Sequence, residues 1–223
     1  MKLSELSNTG LRILSAIGML VALGIVVALE HYFPQIHAVR IAGVLIMIGA
    51  IYETIKNYRN ADSETFNKSA ISFVAFFAWL ILMMVSVYFV GARPWIMLWL
   101  LMIVVGADVG AWFFGKLFGG DKMWERLSEH KTWSGQIGGI LCGTAMSILF
   151  FLYIKPFGND IVFAILMGIS MSLLSQYGDL TASYIKRKLG IKDFGNLIPG
   201  HGGILDRFDG WIYILPLMWF FIG

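Results

Sequence analysis

The sequence predicts an all-α, polytopic integral membrane protein, with about seven transmembrane helices and a polar cleft facing the cytoplasm. Composition is the first observation: of 223 residues, 58% are hydrophobic and only 14% charged, with mean hydropathy +0.74. A soluble domain has about a quarter of its residues charged, so this excess of apolar side chains belongs in lipid. The second is that the apolar residues are gathered into long runs, apolar all round and without β-barrel alternation. Lipid offers backbone groups no outside partners, so such runs are helices. The third is the single cysteine, Cys142, which rules out a disulfide scaffold.

The runs follow in order. Ile13–Leu29 comes after Lys2 and Arg12, and "LEHYFP" behind it carries no small-residue cleavage pattern, so it reads as a retained helix rather than a signal peptide. Ile41–Ile55 is marginal against the roughly 17–25 residues of a crossing. Ile71–Val90, Trp95–Phe114, Ile137–Ile154 and Ile161–Leu180 are full spans. Trp211–Ile222 reaches crossing length only by starting near Leu205. The chain reads as one membrane domain, 1–223, with N-terminal helices over about 1–90 and the part that carries chemistry over about 94–223.

Of the 17 lysines and arginines, all but Arg40, Arg93 and Lys155 precede the first run or follow the second, fourth and sixth. The positive-inside rule puts those segments in the cytoplasm, and a seventh span would then put the C-terminus outside. The net charge of +3 is thereby explained by topology. The expected polyanion is the anionic lipid surface and not a nucleic acid.

With that orientation Glu53 and Asp179 fall near the inner ends of runs two and six, and Asp108 within the inner half of run four. Carboxylates in a span cost a few kcal/mol unless paired or hydrated, so they mark a functional site by default. Glu53 also fits plain interfacial placement. Beyond the sixth run Ser172, Gln176, Asp179, Ser183 and Arg187 continue as one helical face, either a hydrogen-bonded helix seam or the approach to a site. It leads into Lys186–Gly210, "KRKLGIKDFGNLIPGHGGILDRFDG". Glycines there allow close backbone approach and the loop geometry that cradles phosphate. Lys186, Arg187, Lys192 and Arg207 supply charge for a polyanion. Asp206 and Asp209 are three apart and would share a face at a helix start. With Asp179 they form a candidate oxygen cage for Mg²⁺, an ion usually held by one or two carboxylates plus substrate phosphates.

Two patterns carry nothing. Gly110–Lys116 matches a P-loop spacing, but Leu117 stands where a hydroxyl residue is needed and no strand precedes it. Gly106/Gly110 and Gly115/Gly119 are small-residue spacings for close helix packing. Among the histidines only His201, inside Gly200–Gly203, is a site candidate.

The pattern S-x-x-K-R-x4-K-D-x5-P-G-H-G-G-x2-D-R-x-D is met at Ser183, Lys186, Arg187, Lys192, Asp193, Pro199, Gly200, His201, Gly202, Gly203, Asp206, Arg207 and Asp209. It resembles the signature of the phosphatidate cytidylyltransferase (CDP-diacylglycerol synthase) family. "QYGDL" at Gln176–Leu180 and "ADVGAWFFGKLFG" at Ala107–Gly119 are similar to two further family motifs, so the resemblance covers about Ala107 to the end. "YE" at Tyr52–Glu53 extends it weakly. Where the family commonly reads S-P-K-K-T-W-E-G, this chain has Glu129, His130 and Ser134 at the differing positions and matches at Lys131, Thr132, Trp133 and Gly135.

The resemblance implies a transfer of CMP from CTP to phosphatidate, giving CDP-diacylglycerol and pyrophosphate in phospholipid biosynthesis. It implies catalytic roles for Asp179, Asp206, Lys186 and Arg187. Lys192, Asp193, Gly200, His201, Gly202, Gly203, Arg207, Ser183, Asp108 and Lys131 would bind substrate, and Asp179, Asp206 and Asp209 would hold Mg²⁺, with room for a second cation. It also implies a homodimer in a bacterial-type inner membrane, with its N-terminus and site on the cytoplasmic side. The chemistry agrees: a phosphate monoester is mostly dianionic near pH 7 because its second pKa is about 6, so no strong base is required. A CTP-dependent enzyme acting on another lipid phosphate or on a polyprenol stays open. A cation transporter would need acidic residues through the whole depth, and here they cluster on one side.

Overall fold

The computed structural model describes residues 8–61, 63–124, 128–154 and 160–222, leaving aside the side chains at 8, 63–69, 124 and 128–130. Lys2, Arg126 and Lys155 lie outside these residues, as do the side chains of Lys68, Glu129 and His130. The elements are α1 Asn8–Tyr32, a 3₁₀ turn Pro34–Ile36, α2 Ala38–Arg59, α3 Ser63–Val90, α4 Pro94–Phe118, strands β1 Lys122–Trp124 and β2 Ser128–Thr132, α5 Trp133–Ile154, α6 Ile161–Lys188, α7 Leu205–Phe208, a 3₁₀ turn Asp209–Trp211 and α8 Ile214–Ile222. Among the described residues six helices, α1 to α6, are long and apolar enough to cross a membrane.

The expected seventh span is different. Residues 205–222 break into a four-residue helix, a 3₁₀ turn and a nine-residue helix. The break falls at Asp209–Gly210, where the Asp209 carboxylate accepts from the Gly210 N–H at 2.9 Å and competes with the helical ladder.

Local chemistry sets the other ends. Pro94 opens α4, where its missing N–H costs nothing. The Thr132 hydroxyl caps α5 by accepting from Gly135 N at 3.2 Å, and the Asp160 carboxylate caps α6 through Val162 and Phe163 N. The Glu30 carboxylate accepts from Val39 N at the start of α2. α6 ends in three basic residues that suit its dipole, followed by Gly190 at φ +67°, the left-handed cap that closes such an end. The β1–β2 hairpin is antiparallel, where the sequence predicts only a loop.

The chain divides into two compact units. The first comprises 1–92 and 185–208, the second 93–184 and 209–223. The first is built on α2 against α3, with Met47, Ala50, Leu80, Met83 and Val90 buried. Its α1 leaves the whole of its apolar window unburied, the expected state of a lipid-facing helix.

The second unit is built on α4 against α5. Glycine makes their close approach possible. A side chain at Gly110 would lie 2.6 Å from the Gly138 carbonyl, and one at Gly106 would lie 2.6 Å from the Met146 side chain. The packing role expected of this pair holds. Gly119, at φ +59°, is instead the residue that ends α4, with open space around it. Trp99, fully buried, donates from its indole N–H to the Ser147 carbonyl at 3.2 Å.

Candidate active site

In the first unit the signature segment folds around one buried carboxylate. Asp206 lies in the first turn of α7 with its side chain 3% exposed, and its Oδ1 accepts from the Lys186 ammonium at 2.8 Å. Its Oδ2 accepts from Phe194 N at 2.8 Å and Gly203 N at 2.9 Å. Phe194 is buried, stacks on Phe76 at 6.2 Å, and lies under the Lys186 ammonium, 5.5 Å from its ring centroid. Asn57 donates to the Phe194 carbonyl. A cation, a carboxylate, two backbone donors and an aromatic face thus satisfy one another where little solvent reaches, and each bond is worth more than in water.

A second buried carboxylate holds the same loop. Glu53 of α2 is 3% exposed. Its Oε2 accepts from Ile204 N at 2.8 Å and Leu205 N at 3.2 Å, while Oε1 is buried without a hydrogen-bond partner among the described residues. Gly195 and Gly203 lie directly against this carboxylate, and a Cβ at either would collide with it. The sequence marked Glu53 only by its expected depth; the structure gives it two backbone donors from the signature loop.

The glycine loop itself is a tight turn. Ile198 N donates to the Gly202 carbonyl and His201 N to the Ile198 carbonyl, both at 2.9 Å. Pro199 and Gly200, at φ +74°, take its two central positions, the pattern of a type II turn. Gly202, at φ +87°, packs against Asp193 and the Asp206 carboxylate. The backbone N–H groups of His201, Gly203, Ile204 and Leu205 therefore all have internal acceptors, which differs from the open phosphate cradle expected of the loop. On its outer side Arg12 of α1 donates to the Gly200 carbonyl at 3.2 Å, and the Ser15 hydroxyl lies 2.6 Å from His201 Nδ1. Arg187, Lys192, Asp193 and Arg207 are exposed, and Ser183 is half-buried.

The second unit contains Asp179, Asp209, Lys131 and Asp108. Lys131, at the end of the hairpin, pairs with Asp179 of α6 at 2.6 Å, the two side chains being 26% and 41% exposed. The same ammonium donates to the Gln176 carbonyl at 3.3 Å, and the Gln176 amide donates to the Gln136 carbonyl at 3.2 Å. The polar stripe of α6 is therefore a helix seam at Gln176 and an ion pair with the hairpin at Asp179. Gly178 carries no side chain because the Asp209 carbonyl sits where its Cβ would be. That contact brings the Asp209 turn against the helix residue next to Asp179. Gly210 lies against the Ser175 hydroxyl and Val104. Asp108 is exposed on α4.

Asp206 and Asp209, expected on one face, open different turns and have different partners. Each belongs to the unit in which it is described above. Ser134, one of the departures from the family pattern, bonds to the Gly119 carbonyl and to Thr132 Oγ1, so it ties the hairpin to the end of α4.

Among the described residues, no three or more histidine, cysteine or acidic side chains are grouped to hold an ion. Mg²⁺ that arrives with phosphates needs only one or two carboxylates. Asp179, 41% exposed and paired with Lys131 through Oδ2, and Asp209, whose turn packs against the residue before Asp179, fit that demand. Asp206 does not in this arrangement, because it is 3% exposed and both its oxygens are taken, Oδ1 by the Lys186 ammonium and Oδ2 by Phe194 and Gly203 N.

Ser15, Asn57, Phe194 and Gln136 were missed by sequence reasoning. Gln136 alone left a signal, as a polar residue at the edge of an apolar run; the other three are legible only once the loop is folded.

Comparison with known proteins identifies the family. A family model described as "Cytidylyltransferase family" matches residues 2–223. A Staphylococcus aureus protein named phosphatidate cytidylyltransferase is 31% identical over 225 residues, covering 97% of this chain and 83% of that protein. Proteins of the same name from Staphylococcus haemolyticus and Staphylococcus epidermidis are 42% and 43% identical over 121 and 117 residues. Those two matches span 54% and 52% of this chain and about half of each relative's length, 46% and 45%.

Proposed function

Since the chain belongs to the cytidylyltransferase family, we propose that it is a polytopic membrane nucleotidyltransferase that converts phosphatidate and CTP into CDP-diacylglycerol and pyrophosphate. The observation that carries this reading is the folded signature segment. Its buried Lys186–Asp206 pair and the Glu53 cap fix a loop whose remaining cations, Arg187, Lys192 and Arg207, stay exposed.

The lipid phosphate is itself the nucleophile. One of its oxygens attacks the α-phosphorus of CTP, the α–β phosphoanhydride bond breaks, and the electron pair leaves on pyrophosphate. The nucleophile carries charge at neutral pH, so the work is to let two anions approach and to hold the leaving group. The exposed Arg187, Lys192 and Arg207 neutralise phosphate oxygens, the arginines with two parallel hydrogen bonds each. Asp206 keeps the Lys186 ammonium in place beneath the loop, and Glu53 keeps the loop's N–H groups from competing. Asp179 and Asp209 would hold Mg²⁺. When bound, that ion offsets triphosphate charge and favours departure of pyrophosphate. Lys131, paired with Asp179, keeps that carboxylate oriented.

The charge bias of the loops supports a cytoplasmic N-terminus and site in the inner membrane of a bacterium, where CTP is available. A cysteine-labelling scan with membrane-impermeant reagent tests the orientation.

The activity is tested with purified protein, radiolabelled CTP and phosphatidate in mixed micelles, with and without Mg²⁺. A CDP-lipid is expected only when all are present. Label transferred as a single phosphate to an alcohol, or no CDP-lipid with any phosphatidate, would overturn the reading.

A further inference from the structure

The glycine turn at Pro199–Gly203 carries the one histidine in the signature, and that histidine touches a residue far outside it. Ser15 lies in α1, 186 positions away in sequence, with its Oγ 2.6 Å from His201 Nδ1. A serine hydroxyl has one proton to give. Here it has two carbonyl acceptors on its own helix, Leu11 O at 2.9 Å and Arg12 O at 3.1 Å, the usual back-bond of serine in a helix. When that proton serves the helix, the Ser15 oxygen accepts from the imidazole, Nδ1 carries the hydrogen, and the bare lone pair of a neutral ring is on Nε2.

A second contact one turn earlier fixes the same turn of chain. Arg12 donates to the Gly200 carbonyl and packs against the Gly200 backbone, 3.1 Å from where a Cβ would stand. Two side chains on one face of α1 therefore grip two successive residues of the loop. The rest of the α1 apolar window is unburied, so these polar contacts, at the end nearest the loop, are specific features of an otherwise lipid-facing helix.

We propose that Ser15 is a positioning residue for the reaction: it holds the His201 ring in the Nδ1–H form and so presents Nε2 as a hydrogen-bond acceptor to a donor group of the bound nucleotide. Triphosphate oxygens accept and do not donate. An acceptor at this place therefore selects the nucleoside half of CTP, through its sugar hydroxyls or base amino group. The inference rests on the activity proposed above, and its first readout does not need that activity.

The test uses the full-length protein in detergent with ¹⁵N-labelled histidine. His201→Asn assigns the ring signals. The wild type should show the neutral Nδ1–H tautomer at His201, and Ser15→Ala should shift it toward the Nε2–H form that predominates in free histidine. Steady-state kinetics then separate the roles. Ser15→Ala should raise KM for CTP about fivefold to tenfold, the scale of one hydrogen bond, with kcat and KM for phosphatidate within about twofold, and Ser15→Thr should restore it. Alanine is the best helix former, so α1 is not weakened by the change. An Nε2–H tautomer in the wild type, or Ser15→Ala with unchanged KM for CTP, would overturn the proposal. Wild-type protein without CDP-lipid synthesis but with the Nδ1–H tautomer would instead overturn the activity and the nucleotide role, leaving only the ring contact.

Discussion

Replacing Asp206 by asparagine should unfold the signature loop as well as stop the chemistry. The asparagine carbonyl can take over the donors of Phe194 and Gly203, at 2.8 and 2.9 Å in the parent. Its amide then points at the Lys186 ammonium, donor against donor, with that lysine only 13% exposed. Breaking one partner of a buried pair costs about 3–5 kcal/mol, a large share of the roughly 5–15 kcal/mol that holds a domain together. Adding Lys186→Met removes the stranded charge and should recover about 2 kcal/mol of that loss, within the range of coupling between contacting residues. Thermal unfolding of the four proteins in one detergent closes the cycle, with CDP-lipid synthesis measured alongside. Both aspartate variants should be inactive, and the double variant the more stable of the two. If Asp206→Asn melted with the wild type, or the two single effects simply added, the buried-pair argument would be wrong.

Glu53→Ala strands the Ile204 and Leu205 N–H groups and should destabilise by about 2–4 kcal/mol; Glu53→Gln keeps an acceptor and should cost less than half of that in the same melt. Gly178→Ala drives a methyl into the Asp209 carbonyl, so a loss of about 1–3 kcal/mol together with most of the turnover is expected, and a wild-type melt and rate would refute the contact. Lys131→Met breaks a partly exposed pair, so stability should move by less than about 1 kcal/mol while the rate of CDP-lipid formation falls about 100-fold. Chelation with EDTA should abolish turnover and added Mg²⁺ restore it, with the Asp179→Asn protein requiring more of the ion, read as a right-shifted Mg²⁺ titration.

The spans were legible because lipid imposes a simple demand on composition, and α3 to α6 appear where the apolar runs lie. The continuation of α6 to Lys188 was legible too, from the periodic Ser172–Arg187 face. The last segment was not: Leu205–Ile222 is apolar enough in sum, but Asp209 and Gly210 bond locally, and no count of hydropathy registers that. The hairpin at 122–132 was hidden because two short strands with mixed charge have no periodicity to detect. At the site, residue types were legible while pairings were not. Lys186 and Asp206 were both picked out, as phosphate clamp and ion ligand, and the fold turns them toward each other. Glu53 showed its depth but not its partner, since the contact joins positions 151 and 152 residues apart. Ser15 lay in an apolar run with nothing to mark it.

A nine-residue helix is about 13 Å long at 1.5 Å per residue, less than half of a hydrocarbon core about 30 Å thick. Insertion machinery that admits spans by their length has no reason to accept α8 alone. It must be captured by helices already in place, through Gly210 against Val104 and Ser175, the Thr181–Tyr213 hydroxyl pair at 2.9 Å and Arg93 on the Ile222 carbonyl at 2.7 Å. Assembly of this part of the protein therefore finishes with a docking step inside the bilayer, and lesions in α4 would reveal themselves as protease sensitivity of residues 209–222 while the topology of the six long helices stayed correct.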